Sequence, residues 1–115
     1  MRPVQTYRIA VFIPREDVEQ LLSAVLRVTD LKYGNYSGVT WTSAEGEERY
    51  TSMDGASPVV GSIGKQELVR VMRLEFSIPR DQQLLRRVIS EAIYSAHRWE
   101  EPVISVTEAF DVRRR

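Results

Sequence analysis

A chain of 115 residues with 16 basic and 16 acidic side chains has room for one hydrophobic core and carries no net field. That balance excludes partners held by bulk charge, such as nucleic acid or an anionic membrane. The absence of cysteine excludes disulfides, thiolate nucleophiles, Cys-based zinc sites and thiolate copper(I) coordination.

Met1 to Thr6 lead straight into a strand pattern with no signal-peptide hydrophobic run, and no apolar stretch approaches membrane-spanning length. The expectation is a soluble, cytoplasmic single domain, with its core over about residues 7–110. Residues 111–115, ending in Arg113-Arg114-Arg115, are expected to form a solvated basic tail.

Tyr7 to Ile13 alternates as a strand, with Tyr7, Ile9, Val11 and Ile13 on one face. Val18, Leu21, Leu22, Val25 and Leu26 then form the apolar stripe of an amphipathic helix. Tyr33-Gly34-Asn35-Tyr36-Ser37-Gly38 follows, where Gly34 and Asn35 tolerate the left-handed backbone of a turn. Gly38 to Ala44 and Glu48 to Met53 read as two strands joined by a turn at Glu45-Gly46-Glu47. The second reads alternatively as an extension hairpin off the main sheet. Leu68 to Ile78 is long for one strand and is expected to project beyond the sheet.

The Met72 to Ile78 part of that strand repeats the first one. Ile13-Pro14-Arg15-Glu16 finds its counterpart in Ile78-Pro79-Arg80-Asp81, so each proline marks a strand-to-helix junction. A second stripe of Leu85, Val88, Ile89, Ala92 and Ile93 predicts the second helix, and Val103 to Phe110 the last strand. The pattern predicts an α+β, ferredoxin-like β-α-β-β-α-β sandwich. Its antiparallel sheet carries two helices on one face and an extended central hairpin.

Gly61-Ser62-Ile63-Gly64-Lys65 looks like the tail of a phosphate-binding P-loop, but Val59 stands where the first glycine belongs and Gln66 where a Ser or Thr belongs. Asp54 to Lys65 is then a long loop whose glycines adopt positive φ, a kind of segment often used to bind a ligand or a neighbouring subunit. Tyr33, Tyr36, Trp41, Tyr50, Tyr94 and Trp99 lack the interleaved basic residues of a nucleic-acid surface, so packing in core and interface is expected.

His97-Arg98-Trp99-Glu100-Glu101-Pro102 holds the sole histidine beside two carboxylates. A metal site built from His97, Glu100 and Glu101 lacks further ligands nearby and would need several copies of the chain. No nucleophile and orienting carboxylate accompany His97 as a general base. The structural reading is that His97 caps the end of the second helix while Pro102 starts the final strand.

Gly34-Asn35-Tyr36-Ser37, Gly55 to Pro58 with Gly61 and Gly64, Glu67, and the corner at 97–102 occur in that order over nearly the whole chain. Together they closely resemble the inserted domain of the Nif-three-like proteins (Ngg-interacting factor three homologues). The family pattern is a Gly-x-Tyr-Ser loop, a Gly-x-x-Pro-x-x-Gly-x-x-Gly loop and a His-Pro-Tyr-Glu-Glu-Pro corner. Gly38-Val39 and Arg98-Trp99 depart from it, the former removing a His-Cys pair and weakening any copper analogy. The resemblance implies a CutA- and PII-like fold, folds that commonly trimerise. It also implies that the dinuclear-metal ligands of the GTP cyclohydrolase-like family lie in flanking domains absent here.

The expectation is a stand-alone, non-enzymatic, oligomeric binding or regulatory module, with a trimer favoured. Its ligand or interface residues would be Tyr33, Asn35, Tyr36, Ser37, Gly55, Pro58, Gly61, Gly64, Lys65 and Trp99. Two other readings are a divalent-metal protein similar to CutA, using His97, Glu100 and Glu101, and an inactive docking partner of a hydrolase. No cofactor other than a divalent metal is suggested.

Overall fold

Tyr7, Ile9, Val11 and Ile13 all point to one side of β1 (Arg2–Ile13), and all are buried. β4 (Gln66–Pro79) runs antiparallel beside it, setting Ile9 opposite Phe76 and Val11 opposite Leu74. On the other side β1 pairs with β5 (Ile104–Arg113). The structure, a computed structural model, describes residues 1–59 and 61–115.

α1 (Val18–Val28) buries Val18, Leu21, Ala24 and Val25 against this face. α2 covers residues 82–96 and is α-helical over Gln82–Arg87, π-helical over Val88–Ile93 and α-helical over Tyr94–Ala96. Its wider central turns keep Val88, Ala92 and Ile93 fully buried in the same cluster. Val88 and Ile93 each contribute roughly 1.5–3 kcal/mol by leaving water. Asp81 caps α2, its Oδ1 accepting the Gln83 and Leu84 N–H groups at 2.9 and 3.2 Å. The opposite, helix-free face is polar: Glu75 takes the Arg8 Nε at 3.1 Å and the Arg73 Nε at 3.0 Å. The result is an antiparallel sheet covered by two helices, as the repeat predicts.

The middle strands differ from the expected pair joined by a turn. β2 (Trp41–Thr42) and β3 (Gly46–Thr51) do not pair with each other; both lie antiparallel on β4. The sheet order is β2-β4-β1-β5, with β3 on the overhanging first half of β4. Between Thr42↔Leu74 and Gly46↔Val71 the edge advances four residues while β4 advances three. The segment read as a turn is therefore a bulge. Ser43 secures its start, its N–H donating to Arg73 O at 2.9 Å and its Oγ accepting the Arg73 N–H at 2.8 Å.

The basic tail is also shorter than expected. β5 continues to Arg113 because β1 starts at Arg2 and offers a full set of backbone partners, pairing Arg2 with Arg113. The Arg113 guanidinium covers the Tyr33 ring at 3.5 Å.

Candidate functional site

β1 ends at Ile13, opposite Met72, while β4 begins at Gln66, so the β3–β4 ribbon overhangs the end of β1. The chain leaves α2 and turns through residues 97–102 beside this overhang. The Phe12 N–H donates to Val103 O at 3.1 Å and fastens the turn to the end of β1.

Within this corner His97 is 6% exposed. Its Nε2 lies 2.8 Å from Phe12 O, and its Nδ1 lies 3.2 Å from the Trp99 backbone N–H. A carbonyl only accepts and an amide N–H only donates, so these partners select the neutral Nε2–H tautomer. Both ring nitrogens are thereby engaged, and the ring links α2 to β1 instead of capping helix carbonyls. Arg98 reaches back to the turn before α1, its Nε and Nη2 donating to the Asp17 carboxylate at 2.6 and 2.7 Å. Those hydrogen bonds, then the Asp17 charge, hold the guanidinium pKa above its ordinary value.

Trp99 points the other way. Its ring centroid lies 5.2 Å from that of His97 and 6.4 Å from that of Tyr50 on β3. Glu100 Oε1 accepts the backbone N–H of Ser57, tying the long loop to the corner. The loop returns to its own base through Gly64 N–H donating to Ser52 O at 2.8 Å. Gly61 has φ +88°, and a β-carbon there would run into the Glu67 side chain.

Ribbon, loop and corner enclose a cleft of about 450 Å³. Tyr50, Met53, Pro58, Trp99 and Val103 give it apolar walls, and Glu48, Glu100 and Glu101 contribute carboxylates. Burial raises the Glu48 pKa above its ordinary value. Burial, followed by the charges of Glu67 and Glu48, does the same for the Tyr50 phenol. A depression of about 330 Å³ next to it shares Glu48 but is walled by Phe12, Ala44 and Arg73 and lacks the aromatic pair.

Of the residues singled out in the sequence, Pro58, Trp99, Glu100 and Glu101 line this cleft. Gly55, Gly61 and Gly64 shape its loop with φ of +94°, +88° and +80°. Lys65 lies 3.9 Å from Glu67 at the loop's end. His97 stands behind the cleft as a support. Tyr33, Asn35, Tyr36 and Ser37 are elsewhere in the chain: Tyr33 and Tyr36 exchange backbone bonds at 2.7 and 3.1 Å, and the Tyr33 hydroxyl donates to Val112 O at 2.9 Å. Val112 lies near the end of β5 and Val103 just before its start, about 30 Å apart at the usual rise per strand residue. Among the described residues, no three or more His, Asp or Glu side chains gather as a metal centre would require.

Sequence reading missed Glu48 and Tyr50 as site residues. Their period-two spacing puts them on one face of β3, but only the bulge decides which face that is. No helix is long and apolar enough among the described residues to cross a membrane.

No family model matches the chain. A GTP cyclohydrolase 1 type 2 homolog of Mycobacterium leprae is 35% identical over 96 residues, covering 84% of this chain and 24% of the relative. The Bacillus subtilis homolog is 32% identical over 94 residues, covering 82% and 24%. The chain thus spans about a quarter of the length of the curated relatives it matches. Among solved structures, a Bacillus cereus protein related to NIF3 superposes with a TM-score of 0.74 at 28% identity, over 94% of this chain and 26% of that one. The periplasmic divalent cation tolerance protein CutA from Archaeoglobus fulgidus gives 0.62 at 14% identity, over 96% and 86%. A Bacillus subtilis GlnK–ATP complex gives 0.54 at 7% identity, over 90% and 82%. The last two show the shared fold alone.

Proposed function

Because the chain is related by descent to one segment of the NIF3-related proteins, we propose that it is a non-enzymatic, oligomeric binding module. Its ligand occupies the cleft between ribbon, loop and corner. One observation carries this reading: separate parts of the chain converge on a concave, largely apolar space with a few polar groups, as small-molecule sites do. Among the described residues that line the cleft, none pairs a nucleophile with an activating base, which favours binding over catalysis.

The oligomeric part of the reading draws on β5. It pairs only with β1 in the sheet order, and Phe110 and Val112 remain 62% and 50% exposed. An unpaired strand edge with exposed apolar side chains favours association with another copy. A trimer is the assembly proposed. In it the loop at residues 33–37 of one copy would approach the cleft of the next, uniting the two ends of β5.

A second reading is favoured by the coverage of the relatives. The chain matches 24% of their length, so hydrolytic activity would reside in the parts it does not match. Docking on a chain that carries those parts is then its role. A divalent metal is the weaker proposal: it would rest on Glu100 and Glu101, since both His97 ring nitrogens are bonded.

Saturation-transfer NMR with pooled metabolites tests the binding reading. Bound-ligand signals that disappear with Trp99→Ala are expected. The absence of any such signal, or signals indifferent to Trp99→Ala in a folded protein, would contradict it. Native mass spectrometry reports the number of copies, and a monomer at micromolar concentration would contradict the oligomer.

A further inference from the structure

Resting on that binding reading, we propose that the cleft selects a small organic cation with an apolar body, seated against the Trp99 and Tyr50 rings and balanced by Glu48, Glu100 and Glu101. Charge complementarity carries the assignment. Three carboxylates line the cleft, and among its described lining residues there is no Lys or Arg. An anionic ligand such as a nucleotide would meet these carboxylates without a counter-charge, and desolvating it there would be costly.

The remaining lining fits the same class of ligand. Indole and phenol rings attract cations through the negative face of their π-systems, best where water is excluded. Met53, Pro58 and Val103 offer contact to an alkyl or aryl body and cannot solvate a strongly hydrated metal ion. A bare divalent cation would also need more oxygen ligands than Glu100 and Glu101 provide together. Glu100 is anchored by the Ser57 N–H, so its carboxylate is positioned in the free protein. Preorganised charge of this kind lowers the cost of binding.

The test is an amide-shift titration of the 15N-labelled full chain with three probes of similar shape. They are benzyltrimethylammonium, its uncharged carbon isostere neopentylbenzene, and the anion benzylphosphonate. The cation is expected to shift the amides of Tyr50, Met53 and residues 99–103 and to bind about tenfold more tightly than the isostere, between the exposed and the fully desolvated strengths of a cation–π contact. Glu48→Gln combined with Glu101→Gln should weaken the cation about tenfold and leave the isostere unchanged. Both substitutions are close in shape and sit on partly exposed side chains, so the fold is retained. Trp99→Phe should keep part of the preference.

Equal affinity for cation and isostere, or tighter binding of the phosphonate, would overturn the inference while leaving a binding cleft in place. No shift at the cleft from any of the three probes would overturn both the inference and the binding reading.

Discussion

The Tyr50 and Trp99 rings meet at a centroid distance of 6.4 Å and an interplanar angle of 51°, joining β3 to the corner that follows α2. A tilted aromatic pair of this kind adds about 0.5–1.5 kcal/mol beyond the area it buries. Trp99 also packs beside His97, so one indole connects the cleft wall to its support. Trp99→Ala is therefore expected to cost about 1–3 kcal/mol in urea unfolding. Amide exchange over residues 53–59 should accelerate at the same time, and Trp99→Phe should recover much of both effects.

Arg98 gives the corner its second anchor. Asp17 is 8% exposed and receives both of its side-chain bonds from Arg98. Arg98→Ala leaves a buried carboxylate without its partner, so a lower urea midpoint is expected. Arg98→Lys should restore only part of it, because an ammonium cannot reproduce the two parallel bonds of the guanidinium. Asp17→Asn placed over Arg98→Ala should recover stability, and denaturant midpoints of the wild type, Asp17→Asn, Arg98→Ala and the double variant would measure the coupling.

Glu48 supplies a pH dependence of unusual sign. Burial raises its pKa, so between the ordinary carboxylate value and the raised one the folded state holds a proton that the unfolded chain has lost. Stability then falls as pH rises through that window, and the full cost persists above it. Glu48→Gln is expected to stabilise the protein at pH 7 and to make no difference below the ordinary carboxylate range. The side chain is only half-buried, so screening limits the gain to about 0.5 kcal/mol or less. Thermal unfolding of both proteins at pH 3.5 and pH 7 checks it.

The bulge between β2 and β3 takes up one extra residue of the edge, and beyond it Glu48 lies opposite Val69 and Tyr50 opposite Glu67. Deleting Ala44 should therefore remove the bulge and make the register continuous, while leaving Glu48 opposite Val69 and Tyr50 opposite Glu67 on their present face. The expected readouts are retained Tyr50–Trp99 proximity in nuclear Overhauser spectra and retained β1–β4 core pairs; loss of that proximity would contradict the register.

These cases show where sequence reading reaches and where it stops. The paired Ile-Pro-Arg-acid junctions and the two helix stripes each combine a local period with a local stop signal, and they led directly to the sheet and its helices. The bulge carries no comparable mark, because Glu45-Gly46-Glu47 has the composition of a turn and differs only in its pairing with β4. Arg98 and Asp17 are 81 positions apart, and neither type of residue announces its partner. The partner of the His97 ring is a backbone carbonyl, which no sequence motif encodes. The motif order over residues 34–102 led to the right relatives, yet the chain folds with its 33–37 loop away from the cleft that the other motifs form.

His97 offers the most direct measurement, because as the sole histidine it gives one set of ring signals. Long-range 1H–15N correlation of the imidazole, recorded before and after one equivalent of Zn2+, reports tautomer and metal coordination together. A single Nε2–H tautomer, unchanged by zinc, is the result expected of a ring that braces the cleft between Phe12 and Trp99. An Nδ1–H tautomer, or a ring nitrogen shifted by stoichiometric zinc, would contradict that role and make the corner a metal site.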